Sequence, residues 1–168
     1  MNNFKIKRLS NRIYKEFSTK TEVLRRIIVD NNLIELDNLF IYSMVSFAFH
    51  TYFFRILLLS KYSEEDIRKI FIICLEKFLC MIDDISMKNK VVDSINETYD
   101  LLDVLMFQVK TAENKEQSVW AMQEIATLFI GAIQKDGDIS PDSIAILKIT
   151  IYFTDLLTDN NFLIKIKA

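Results

Sequence analysis

Apolar residues recur every three to four positions along most of the chain, the period of helices that each bury one face. Phe4, Leu9, Ile13 and Phe17 make such a stripe over about residues 3–17. The polar stretch Ser18–Thr21 is expected to interrupt it. Thr19, with Glu22 three residues on, has the spacing of a capping box, which predicts a second, short helix carrying Val23, Leu24, Ile27 and Ile28 inward and ending at Asn31 and Asn32. The pattern then changes, because from Leu39 to Leu59 only His50 and Arg55 are ionisable. The helix expected over about residues 38–60, with Asp37 as candidate N-cap, is therefore apolar on every side. Such a helix suits the middle of a bundle or a bilayer. A charged Arg55 costs about 2.5–3.5 kcal/mol at a membrane centre, and six amphipathic segments need something apolar to pack on. The bundle is the preferred reading.

Amphipathic periodicity resumes after residue 60. Ser63 followed by Glu64, Glu65 and Asp66 is the clearest helix start, a capping hydroxyl with carboxylates at the positive end of the dipole. This helix is expected to end near Ile82. Asp83–Ser86 then turns the chain, with a serine N-cap, into a helix of about Met87–Thr111 with Val91, Ile95, Leu102, Leu105 and Met106 inward. The next is expected over about Glu113–Lys135, with Trp120, Ile125, Leu128, Phe129 and Ile133 on its apolar side and Gly137 as its C-terminal residue. Ser140 as cap and Pro141 in the first turn open a last helix reaching about Thr158. The tail from Asn160 reads equally as a helical turn or an extended strap. The pattern predicts an all-α single domain over residues 1–168, a bundle of about seven helices around a central hydrophobic one.

Composition strengthens that reading and narrows the chemistry. The 168 residues include two glycines and one proline at 51% hydrophobic content, too few turn residues for a sheet protein of this size. No glycine-rich phosphate loop is possible, and one histidine with two cysteines makes no zinc knuckle. Cys74 and Cys80 stand six residues apart in a helical stretch, about 9 Å at 1.5 Å per residue, beyond disulfide reach. Free thiols and a basic start without a continuous apolar run point to a cytoplasmic protein.

Few constellations for catalysis or metal binding survive inspection. His50 lies in the most aromatic part of the chain, Phe47–Arg55, and reads as a core histidine bonded to a neighbouring helix. A pocket lined by Phe47, His50, Tyr52 and Phe54 is the alternative, giving a ligand-binding or regulatory module. The run Asp136–Asp142 has alternating carboxylates, but proline at 141 and leucine at 147 stand where a calcium loop needs glycine and glutamate. That string resembles the corner between helices in tellurite-resistance-type helical domains, and it reads as a structural turn. Asp83-Asp84 lacks the third aspartate of a prenyl-synthase motif, since Met87 occupies its place. Asp93, Glu97 and Asp100 recur at i, i+4 and i+7 on one helix face, with Asn96 and Asp103 beside them. Glu97-x-x-Asp100 and Glu113-x-x-Glu116 resemble, in reversed order, the paired motifs that hold magnesium in helical nucleotide pyrophosphohydrolases. A metal-dependent all-α hydrolase is therefore a second alternative.

Charge is divided along the chain. Residues 1–30 carry eight Lys or Arg and three acids, whereas residues 83–160 carry six bases and fourteen acids. The acidic half would repel nucleic acid and attract a basic protein, steering encounter more than adding affinity. A small helical protein with an acidic face and no assembled catalytic set resembles the immunity proteins of bacterial contact-dependent inhibition and polymorphic-toxin systems. The resemblance implies a non-enzymatic inhibitor, without cofactor, that binds a cognate toxin with a basic surface, a nuclease in preference to a pore former. The residues expected to meet that partner are Asp93, Asn96, Glu97, Asp100 and Asp103, with Glu113 and Glu116 as outlying candidates.

Overall fold

A helix apolar on all sides needs neighbours on all sides, and this chain supplies five. The computed structural model describes residues 1–30, 38–134, 143–158 and 161–162. Its elements are α1 (Asn3–Asp30), α2 (Leu39–Leu59), α3 (Glu64–Leu79), α4 (Ile85–Thr111), α5 (Lys115–Ile133) and α6 (Ser143–Thr158), with no strand among the described residues. α2 packs against each of the other five helices. Around it the helices follow the order α3, α1, α6, α5, α4, each packed on the next. α2 is long and apolar enough to cross a membrane by length and composition, yet 67% of its apolar window is buried within the bundle.

Aromatic rings fill the centre. Phe153 of α6 packs at 5.4 Å from Phe49 and 5.1 Å from Phe53, Phe129 of α5 closes on Phe49 at 5.1 Å, and Phe47 stacks on Phe78 of α3 at 4.5 Å. These contacts tie α2 to α6, α5 and α3. Offset and edge-on ring pairs add about 0.5–1.5 kcal/mol each beyond the area they bury. Phe162, fully buried, stacks on Phe54 at 4.3 Å, and the backbone at residues 161–162 is helical.

Among the described residues there are six helices where seven were expected, because the first two are one. Thr19 does not cap: its hydroxyl donates to the Lys15 carbonyl at 3.1 Å, and that of Ser18 donates to the Tyr14 carbonyl at 3.1 Å. Both hydroxyls satisfy themselves on the preceding turn, which lets a polar stretch stay helical. Glu22 instead pairs forward with Arg25 and Arg26 at 2.9 and 3.2 Å, and no glycine or proline interrupts residues 3–30. Phe4 is 78% and Val23 42% exposed, so both leave the expected stripe, which Ile6, Leu9, Ile13, Phe17, Leu24 and Ile28 form. Trp120 also faces out.

Caps set the other boundaries. Asn38 caps α2, its side chain accepting from the N–H groups of Phe40 and Ile41 at 3.0 and 3.1 Å. Ser63 caps α3 as expected, accepting from Asp66 N–H at 3.2 Å. Asp84 caps α4 through a 2.7 Å bond from Met87 N–H, which puts Ser86 inside the first turn. Asn114 caps α5, accepting from Gln117 N–H at 2.9 Å, so Glu113 precedes the helix. The expectations placed on Asn31, Asn32, Asp37, Gly137, Ser140, Pro141, the Asp136–Asp142 run and the tail beyond Phe162 lie outside the described residues.

Candidate functional site

α4 buries Val91, Ile95, Leu102 and Met106 against the bundle, and the helical period then sends the intervening carboxylates outward. Asp93, Asn96, Glu97, Asp100 and Asp103 are all exposed. Asp93, Glu97 and Asp100 have no ion pair with any described residue. Asp103 differs from them. It accepts a 2.6 Å hydrogen bond from the hydroxyl of Tyr52 on α2, so one of its oxygens belongs to the framework. Burial, followed by this carboxylate, pushes the Tyr52 hydroxyl well above its ordinary pKa and keeps it a donor.

The acidic stripe does not stop at Asp100. Continuing its i, i+4, i+7 spacing by four and seven more residues reaches Val104 and Phe107, which are 60% and 67% exposed. Leu101 beside them is 52% exposed. Across the α4–α5 hairpin Trp120, 57% exposed, shares a shallow hollow with Gln108 and Thr111. The outer face of α4 thus runs over about 21 Å, at 1.5 Å per residue, from carboxylates to large unpartnered apolar groups. These apolar residues were missed in the sequence because apolar was equated with inward. Their register was the available signal: Val104 and Phe107 fall in step with Asp93, not with Ile95 and Leu102.

Glu113 and Glu116 flank the Asn114 cap at the far end of α4, and both are exposed. Glu116 occupies the first turn of α5, where the helix dipole favours a carboxylate. From Glu97 to the end of α4 is about 21 Å along the axis, so the Glu97–Asp100 pair stands at mid-helix and the Glu113–Glu116 pair beyond its C-terminal end. Among the described residues no group of three or more His, Cys, Asp or Glu side chains comes together as a metal site.

The aromatic centre is bonded and packed. His50 is fully buried, with Nδ1 2.7 Å from the Ser46 carbonyl and Nε2 2.6 Å from the hydroxyl of Tyr152 on α6. Burial pulls its pKa down to about 4, helped by the nearby charge of Lys20 and opposed by the Ser46 bond, so the ring is neutral near pH 7. Tyr52 and Phe54 are also buried, and Phe47 borders a cleft between α3 and α4. Cys74 is buried with its thiol pushed up to about 12 by desolvation, which leaves it without thiolate reactivity; Cys80 is exposed and free.

No family model, curated protein or solved structure matches the chain.

Proposed function

We propose that the protein is a non-enzymatic inhibitor that docks the outer face of α4 and the neighbouring surface of α5 on a basic partner. An immunity protein acting in the cytoplasm on a cognate bacterial toxin, a nuclease by preference, is the form this reading takes. The observation that carries it is the continuity of unpaired Asp93, Glu97 and Asp100 with exposed Val104 and Phe107 on one helix face. Exposed aromatic residues beside a charged patch are the composition of protein interfaces, where the rings anchor and the charges steer. Trp120 extends the apolar part onto α5, and Glu113 and Glu116 extend the acidic part past the hairpin. A nuclease presents a basic cleft that such carboxylates complement, and the free thiols fit a reducing compartment.

The test is co-expression with a toxin encoded beside this chain, followed by calorimetry of the purified pair. Glu97→Lys with Asp100→Lys should weaken binding at least tenfold and reduce its salt dependence, while Phe107→Ala should speed dissociation. Binding left intact by the charge reversals and by Phe107→Ala would refute this assignment of the surface. Failure of the neighbouring toxin to bind at all would refute the immunity reading.

A further inference from the structure

Six cylinders of equal width are needed to enclose a seventh, and α2 has five neighbours. The ring closes at α3–α1, α1–α6, α6–α5 and α5–α4, and stays open between α4 and α3, which do not pack closely on each other. A cleft of about 540 Å³ occupies this seam. That volume is in the range of small-molecule sites. Its floor and walls are apolar, with Phe47 of α2, Phe71 and Leu75 of α3 and Ile95 of α4. Tyr99 of α4 is fixed in the wall by a 2.6 Å bond between its hydroxyl and that of Thr51.

The other end of the seam carries charge of both signs. Arg55, the one charged residue of α2, is exposed there, and Arg68 of α3 lines the same cleft. Neither guanidinium has a hydrogen bond or ion pair among the described residues. Glu64 and Glu65 also border this end, but Glu65 is bound to Lys69 at 2.6 Å. With Lys69 counted, three cations stand against two carboxylates, a balance of +1 that favours an anion. A guanidinium fork matches a carboxylate bidentately, and it does so best beside a low-dielectric wall.

We propose that the α3–α4 seam binds a small amphipathic carboxylate, its acid group on Arg55 and Arg68 and its apolar body between Phe47, Phe71, Leu75 and Ile95. The placement explains why an otherwise apolar central helix carries an arginine at position 55: the seam is where a charge on α2 reaches solvent. This site lies beside the outward stripe of α4 and shares Asn96 with it, but its test does not depend on any protein partner.

Decanoate, decanol and decyltrimethylammonium, each below its aggregation concentration, serve as probes with the intact chain. Calorimetry should show decanoate binding at one site, decanol at least tenfold weaker, and no saturable binding of the cation. Arg55→Gln with Arg68→Gln, both exposed changes, should weaken decanoate at least tenfold with an unchanged circular dichroism spectrum. Amide shifts on titration should map to Phe47, Leu75, Ile95 and Tyr99. Equal binding of the three probes, full retention of decanoate affinity in the double variant, shifts confined to other surfaces, or no decanoate binding at 1 mM on the order of weak pocket affinities would each overturn the proposal.

Discussion

Acidification should destabilise the protein through one buried ring. In the neutral state His50 Nδ1–H donates to the Ser46 carbonyl, leaving Nε2 to accept from Tyr152. The Tyr152 hydroxyl also lies 2.9 Å from the Lys20 carbonyl, to which it can donate. One hydroxyl hydrogen cannot serve both acceptors. A protonated ring would donate at both nitrogens and release that hydrogen to Lys20, a gain of about 0.5–1.5 kcal/mol for one more bond. Against this stands the burial of a cation in a wholly aromatic setting, a cost of several kcal/mol. Burial wins, and the folded-state pKa of about 4 against 6.5 for a free ring expresses it.

The unfolded chain consequently binds more protons below about pH 6.5. The stability contributed by keeping His50 neutral is complete above that value and lost as pH falls toward 4. Between pH 7 and pH 5 the loss is about 2 kcal/mol, and about 3 kcal/mol is gone by pH 4. Urea unfolding of the parent and of His50→Gln at both pH values isolates the effect, because carboxylate titrations are common to the two proteins. Identical pH slopes would refute the argument. A parent that gains stability relative to the variant on acidification would show that completing the bond network outweighs burying the charge.

Three further outcomes follow from local geometry. Gly131 sits in α5 with nothing near the position a Cβ would take, so Gly131→Ala should raise stability by about 0.5–1 kcal/mol in a denaturant melt. Tyr52→Phe should cost about 1 kcal/mol, and a double-mutant cycle with Asp103→Ala should recover most of it as coupling, since the two groups meet at 2.6 Å. Thr19→Ala should be neutral or stabilising by a few tenths of a kcal/mol, because Thr19 lies inside α1 and back-bonds to Lys15; a loss near 1 kcal/mol would signal a helix cap there after all.

The all-helical class and the central position of residues 39–59 were legible because they rest on strong signals: a helical period almost throughout, few breakers, and one segment with no polar side. The Ser63 start was equally plain, since a capping hydroxyl and three acids agree. What failed was punctuation by polar residues alone. Ser18 and Thr19 looked like a break, yet a hydroxyl can bond back to its own helix as readily as cap the next, and sequence does not say which. At residues 84–86 two side chains competed to cap, and the aspartate prevailed over the serine.

The candidate surface was half legible for a related reason. Carboxylates declare an outward face by their chemistry, so the exposure of Asp93, Glu97 and Asp100 was legible. Val104, Phe107 and Trp120 declare nothing, because an apolar side chain is read as buried until its register is compared with a known core stripe. Arg55 taught the opposite lesson. In sequence it was an argument against a membrane span; in the fold it marks a place where the central helix reaches solvent, beside the cleft between α3 and α4. A bundle with one helix too few to close its ring has to line the remaining seam with groups that tolerate both solvent and apolar walls. A long side chain with an apolar stem and a charged head meets that requirement, and the same two properties make it a ligand-binding group.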